Sequence, residues 1–74
     1  MEGRIVGVLE TWPLQLLVEG TQGRWSVALG AETVIRQAGR TIDPGGLRPG
    51  SRVVVRGEVT GALAMGADSI DLVP

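Results

Sequence analysis

The stretch SRVVVRGEV, residues 51–59, decides the fold. Apolar and polar side chains alternate along it with a period near two, which is typical of a half-buried β-strand. The face that we expect to be buried carries Val53, Val55 and Val59, with Gly57 between them. The opposite face carries Arg52, Val54, Arg56 and Glu58.

Four other short segments show the same strand pattern, at residues 4–10, 14–19, 24–29 and 65–72. Glycine and proline separate the segments, as expected for turns. Residues 33–36 are expected to continue the third strand past a bend or bulge at Gly30. A break in the alternation between Ala67 and Ile70 predicts a bulge or twist near Ser69. If Ile5 and Leu9 face inward, Val6 and Val8 face outward.

Residues 37–50 are the least regular part of the chain. Asp43 followed by Pro44 is the order found at the start of a helical turn, and the two glycines that follow limit it to a single turn. Leu47 is expected to enter the core from this loop. Pro49 and Gly50 predict a type II turn.

The chain has 74 residues, no cysteine and no histidine, and this length allows one domain, covering residues 1–74. An open sheet would leave one face uncovered, and no helix is predicted to cover it. Closure into a barrel buries one face of every strand and removes exposed edges. We therefore expect an all-β fold: a small five-stranded, partly closed antiparallel barrel with one short helical turn at most.

Several short patterns occur together in the order of a known family. They are Gly3-x-Ile5, Leu16-x-Val18, Val27-x-Leu29, Thr33-x-Ile35, Leu47-x-Pro49-Gly50-x-x-Val53-x-Val55-x-Gly57 and Ala67-x-x-Ile70-x-Leu72. In this the chain resembles a bacterial family of small OB-fold-like β-barrel domains of unknown function. The resemblance implies an OB-like barrel and carries no catalytic residue. The loop at residues 61–64 is more apolar than the family pattern.

The composition argues against catalysis. Histidine, cysteine and tyrosine are absent, and every basic residue is arginine, so most of the common bases and nucleophiles are missing. We expect no enzyme activity, no cofactor and no metal, and we interpret Asp68 and Asp71 as a solvated strand end. The net charge of −1 gives no strong attraction to nucleic acid or membrane. Residues 1–4 lack the layout of a signal peptide, which predicts a cytoplasmic location.

The two tryptophans are the first candidates for ligand contact, because OB-like folds stack bases on aromatic side chains. Trp25 is expected on the same strand face as Val27 and Leu29, which favours a place in the core. Trp12 precedes Pro13 in a turn and is the better surface candidate.

Arginines are the second candidates, because guanidinium groups bind phosphate and carboxylate. Arg52 and Arg56 lie four residues apart on one strand face, about 13 Å from each other. Arg24 is expected on a neighbouring outer face. The alternative is a solvated face paired with Glu10, Glu19 and Glu58.

The third group of candidates consists of apolar residues that the alternation places on the outer faces of the strands. Leu17 and Val54 belong to it, together with Val6, Val8 and Ala28. Contiguous outward apolar side chains are typical of an interface with another chain. The leading hypothesis is therefore a binding or assembly module that docks to itself or to another protein. Binding of single-stranded nucleic acid through the arginine-bearing face is the alternative.

Overall fold

Alternating side chains and β-branched residues place most of the chain in strands, as expected from the sequence. The computed structural model describes residues 1–73. Its elements are β1 (Glu2–Leu9), β2 (Gln15–Gly20), β3 (Gly23–Gln37), β4 (Arg40–Thr41), a 3-10 turn (Pro44–Gly46), β5 (Arg52–Gly61) and β6 (Ala64–Val73). Within this range no helix has the length and apolar character needed to cross a membrane. The predicted all-β fold with one short helical turn is confirmed.

Five strands close into a barrel in the order β1, β2, β3, β6, β5 and back to β1. The two-residue strand β4 pairs with the end of β3 outside this ring. All pairs are antiparallel except β3 with β6, which runs parallel, with Val27 opposite Met65 and Ile35 opposite Ile70. The expected antiparallel barrel is therefore a mixed one. The parallel pair arises because the chain crosses over through residues 38–63 before β6 returns beside β3.

The core is made entirely of apolar side chains. Residues 1–73 contain no buried polar or charged side chain. Leu47 enters the core from the loop before β5, as predicted. The buried cluster comprises Ile5, Leu16, Val18, Val27, Leu29, Ile35, Leu47, Val53, Val55, Met65, Ala67 and Ile70. Each large aliphatic member contributes about 1.5–3 kcal/mol through burial, which holds five short strands together without a disulfide.

A bulge in β1 reverses the inside-outside pattern predicted for that strand. Ile5 pairs with Val18 and Gly7 pairs with Leu17, so Val6 is the extra residue. After an extra residue the alternation changes phase. Val8 therefore packs against the core, whereas Leu9 is exposed. The expectation that Leu9 faces inward and Val8 outward is wrong for this reason.

A second bulge lies between β5 and β6, where sequence analysis expected one. Arg56 pairs with Ser69 and Gly57 with Ala67, so Asp68 is the extra residue. Beyond this point β5 has lost its neighbour β1, whose pairing ends at Met1, hydrogen-bonded to Val55. The inner face of the later part of β5 is therefore uncovered. Val59 is 61% exposed, and the prediction that it is buried is wrong.

The bend in β3 near Gly30 is confirmed, and a threonine holds it. Pairing with β6 shifts register between Leu29 and Val34. The Gly30 N–H donates to Thr33 Oγ1 at 2.8 Å, and the Thr33 hydroxyl donates to the Ala67 carbonyl at 2.6 Å. This link fixes the two halves of β3 against β6.

The loop before β5 adopts the turns that its proline and glycine residues predict. The 3-10 turn at Pro44–Gly46 begins after Asp43, whose side chain makes no capping hydrogen bond. Gly50 has φ +97°, and Ser51 N–H donates to the Arg48 carbonyl at 3.3 Å. A positive φ at the third position is what a type II turn requires, and glycine adopts it without strain.

Candidate binding cleft

A cleft of about 770 Å³ opens at the end of the barrel where β1 leads into β2. Three separate segments line it: residues 10–14, the bend of β3 at residues 29–35, and residues 42–44 before and within the 3-10 turn. Its apolar walls are formed by Pro13, Leu14, Leu29, Ile35, Ile42 and Pro44. Leu29 and Ile35 belong to the buried core, so the floor of the cleft is the end of the core itself.

Backbone hydrogen bonds fasten the walls to the barrel. Leu29 N–H donates to the Leu14 carbonyl at 2.9 Å, and Ile42 N–H donates to the Ile35 carbonyl at 2.8 Å. In the loop, the Thr11 hydroxyl donates to the Pro13 carbonyl at 2.7 Å. These contacts tie each lining segment to a neighbour, so the cleft is formed before any ligand arrives.

Trp12 stands at the rim of this cleft. Its residue is 93% exposed, although it is one of the largest apolar side chains in the chain. Trp25 lies differently: it pairs with Val18 on the inner side and packs, half-buried, against the core. The side chains of Trp25 and Met1 both lie beside Gly20, at the opposite end of the barrel. Trp12 is therefore much more accessible to a partner than the half-buried Trp25.

The charged groups that line the cleft are carboxylates. Glu10 and Asp43 contribute to two different walls, and no arginine among residues 1–73 lines the cleft. Neither carboxylate takes part in an ion pair within residues 1–73. Glu32 lines an adjoining hollow that shares Gly30, Ala31 and Thr33 with the cleft. Among residues 1–73, the charged side chains that line the cleft and the adjoining hollow are thus all acidic.

The predicted arginines lie elsewhere, on the outside of the barrel. Arg52 and Arg56 lie on β5, and Arg56 forms an ion pair with Asp71 at 3.1 Å. Asp71 also faces Arg36 at 3.9 Å. Asp71 is therefore shared between two guanidinium groups and is half-buried rather than fully exposed.

Arg24 is not next to Arg52. It pairs with Glu19 at 3.6 Å, and Arg4 lies between Glu19 and Arg52 in the same row across the barrel. Arg4 and Arg52 are direct cross-strand neighbours and help to line a hollow of about 340 Å³. Of the three acidic residues expected to pair with arginine, Glu19 does so within the described part of the chain.

Leu17 and Val54 lie on outer faces but do not share a surface. Leu17 lies opposite Ser26 and covers Gly7. Val54 lies between Glu2 and Asp71, with charged neighbours on both sides. Leu17 and Val54 thus lie in two separate places, and of the six predicted contact residues Trp12 is the one that lines the cleft.

Sequence analysis missed the other lining residues because they come from three distant segments. The available signal was a pair of X-Pro turns, Trp12-Pro13 and Asp43-Pro44, each next to an aliphatic residue. Nothing local shows that these turns face each other, since their proximity depends on the bend of β3.

Residues 1–73 contain no group of three or more acidic, histidine or cysteine side chains arranged to hold a metal ion. Comparison of the chain with protein-family models, with curated proteins and with solved structures gave no match. The similarity to the bacterial OB-fold-like family described above stays a prediction.

Proposed function

We propose that this protein is a non-catalytic binding module that docks to another protein through the cleft beside Trp12. The observation that carries the proposal is a tryptophan that is 93% exposed at the rim of a cleft with an apolar floor. Tryptophan is among the residues most enriched where partners contribute most binding energy. A pocket of about 300–1,000 Å³ with mainly apolar walls is typical of ligand sites.

The fixed walls support the same proposal. Binding loses free energy when loops must be ordered, and a cleft held by backbone hydrogen bonds avoids much of that loss. Burial of the Trp12 ring would remove a large apolar surface from water, about 150–250 Å² for a side chain of this kind.

A binding role is favoured over a catalytic one by the side chains around the cleft. Glu10, Thr11 and Asp43 are its ionisable or hydroxyl-bearing lining residues, together with Thr33. A hydroxyl nucleophile needs an adjacent base that activates it, and the chain has neither histidine nor lysine to serve in that way. The cytoplasmic location expected from the sequence stays a prediction.

We further propose that the barrel is OB-like. In OB folds, the loop between the first two strands and the face of the second and third strands contribute to the binding surface. Here that loop is residues 10–14, which carry Trp12, and β3 supplies the adjoining wall. The position of the cleft is consistent with this class of barrel.

The test is a selection with a phage-displayed library of random peptides, run in parallel against the wild-type protein and the Trp12→Ala variant. We expect enriched peptides that bind the wild type and lose at least tenfold in affinity for the variant. Val59→Ala is the matched control, because it removes an exposed apolar side chain from β5 outside the cleft. Failure to enrich any peptide, or equal binding to Trp12→Ala, would overturn the proposal.

Nucleic-acid binding is the second candidate, and the observation that favours it is the placement of Arg4 beside Arg52. Two like charges directly opposite each other on paired strands are unfavourable unless an anion or solvent separates them. The test is titration with a 20-nucleotide oligothymidine at low and high salt. Binding that weakens steeply with salt and is lost in Arg52→Glu/Arg56→Glu would favour this candidate. Absence of binding at low salt would eliminate it.

Docking of the chain to itself is the other form of the protein-binding proposal. Sedimentation equilibrium from 5 to 500 µM distinguishes it from docking to a different protein. A dimer that dissociates in Trp12→Ala would identify the second copy as the occupant of the cleft. A monomer at every concentration would leave a different protein as the partner.

A further inference from the structure

We infer that the cleft receives an extended, basic segment of its partner, in which an aliphatic side chain lies next to lysine or arginine. This inference rests on the proposed function and adds the chemistry of the ligand. It follows from the arrangement of apolar and charged groups around the cleft.

The floor selects an aliphatic side chain. Leu14, Leu29, Ile35 and Ile42 present branched apolar side chains, and Pro13 and Pro44 add apolar surface to the lining. A side chain that enters leaves water for contact with the end of the core, which is favourable in proportion to the apolar surface buried. A charged group placed there would lose its hydration without a partner.

The rim selects a cation. Glu10 and Asp43 contribute carboxylates from two different lining segments, so a bound segment meets negative charge from both. The Asp43 side chain is not used to cap the 3-10 turn, which leaves its oxygens available. Glu32 and Asp68 add two further carboxylates in the hollow next to the bend of β3.

Trp12 adds to this preference. The negative face of an indole ring attracts a guanidinium or ammonium group placed over it. A residue that combines an alkyl stem with a cationic end, as lysine and arginine do, can contact both the ring and a carboxylate. Phosphate-bearing ligands are disfavoured, because no arginine lines the cleft.

The experiment compares peptides selected on two versions of the protein. The first is the wild type, and the second is the variant Glu10→Lys/Asp43→Lys, in which both rim charges are inverted. We expect wild-type selection to enrich lysine or arginine beside leucine, isoleucine or valine. The charge-inverted variant is expected to enrich aspartate or glutamate beside the same aliphatic residues.

Single substitutions measure how much each rim carboxylate contributes to peptide binding. We expect Glu10→Gln and Asp43→Asn each to weaken binding of the best wild-type peptide by about two- to fivefold, as for an exposed ion pair. The loss should disappear at 1 M salt, where charges are screened within about 3 Å. Glu2→Gln, at the other end of β1, is the matched control and should leave binding unchanged. The melting temperature of each variant establishes that it is folded.

The outcomes separate the two proposals. Peptides that require Trp12 but show no excess of basic residues would overturn this inference and leave the protein-docking function in place. Enrichment of the same sequences on the wild type and on Glu10→Lys/Asp43→Lys would also overturn it. If no peptide depends on Trp12, the docking function fails together with the inference.

Discussion

At the scale of single residues, two glycines on neighbouring strands show how closely β5 and β6 approach at their bulge. A Cβ added to Gly57 would overlap the Gly66 carbonyl oxygen and lie 3.0 Å from Ala67 Cα. A Cβ added to Gly66 would meet no atom within 4 Å. The obstacle at Gly57 is backbone, which cannot move aside as a flexible side chain can. Only one of the two glycines is therefore required by the packing.

The first prediction follows from this difference. Gly57→Ala is expected to lower the free energy of unfolding by about 1–3 kcal/mol or more, because the added methyl group forces the strands apart. Gly66→Ala is the control and should change it by less than about 0.5 kcal/mol. Urea denaturation at 25 °C measures both. Equal stability of the two variants would mean that the strands are not in contact at Gly57.

At the scale of elements, β5 changes its environment along its length. Val55 lies in the closed part of the barrel and is fully buried, whereas Val59 lies beyond the bulge where β1 no longer covers the strand. Both positions are valines on the same strand, so substituting each of them shows how much burial contributes to stability.

The second prediction uses this pair. Val55→Ala is expected to reduce stability by about 2–3 kcal/mol, from lost burial plus the cavity left behind. Val59→Ala should reduce it by less than about 0.5 kcal/mol. Thermal and urea unfolding of the two variants give the comparison. A large loss in Val59→Ala would contradict the uncovered inner face of β5.

The third prediction concerns the bend of β3. Thr33→Val keeps the shape of the side chain and removes the hydroxyl that links Gly30 N–H to the Ala67 carbonyl. We expect a loss of about 1–2 kcal/mol, since two hydrogen bonds of ordinary net value are removed. Thr60→Val, at an exposed position of β5, is the control. The bend also forms one wall of the cleft, so faster amide hydrogen exchange at Gly30 should accompany the loss.

At the scale of the whole molecule, the two tryptophans mark opposite ends of the barrel. Trp12 is already surrounded by water in the folded state, whereas Trp25 packs against the core near Met1. Unfolding therefore changes the surroundings of one indole much more than those of the other.

The fourth prediction is a fluorescence assignment. The red shift on unfolding should persist in Trp12→Phe and be nearly absent in Trp25→Phe. Far-ultraviolet circular dichroism supplies the independent signal, and both variants should still unfold in one transition, because a single core joins all five barrel strands. Loss of the red shift in Trp12→Phe would contradict the exposure of that ring.

The sequence predicted those parts of the fold that depend on local alternation. The five barrel strands, the bend at Gly30, the bulge near Ser69 and the entry of Leu47 into the core are all recognisable from neighbouring residues. The bulge at Val6 follows only in part from the sequence: Gly7 fits a sharp bend in β1, but the isoleucine and valines around it do not show which residue is extra. Long-range pairing, such as the parallel contact of β3 with β6, leaves no local pattern either.

The candidate site was predictable only in part. Trp12 was identified because an apolar ring next to a proline turn is hard to bury. The remaining lining residues depend on where the turn after Ile42 lies relative to the loop after Leu9, and this is set by the barrel as a whole. Arg24, Arg52 and Arg56 were grouped by residue type, and the structure distributes them around the outer surface.

The position of β6 between β5 and β3 determines when this molecule can complete its fold during translation. Until residues 64–73 leave the ribosome, β3 and β5 have no strand between them. The apolar core of the nascent chain is then open to solvent along the whole length of this gap. The β1–β2–β3 meander can form early, but it gains its cover only with the last strand to emerge. A stalled nascent chain with a C-terminal linker that brings only residues 1–63 out of the exit tunnel should therefore be protease-sensitive, and protection should begin when a longer linker lets Ile70 emerge.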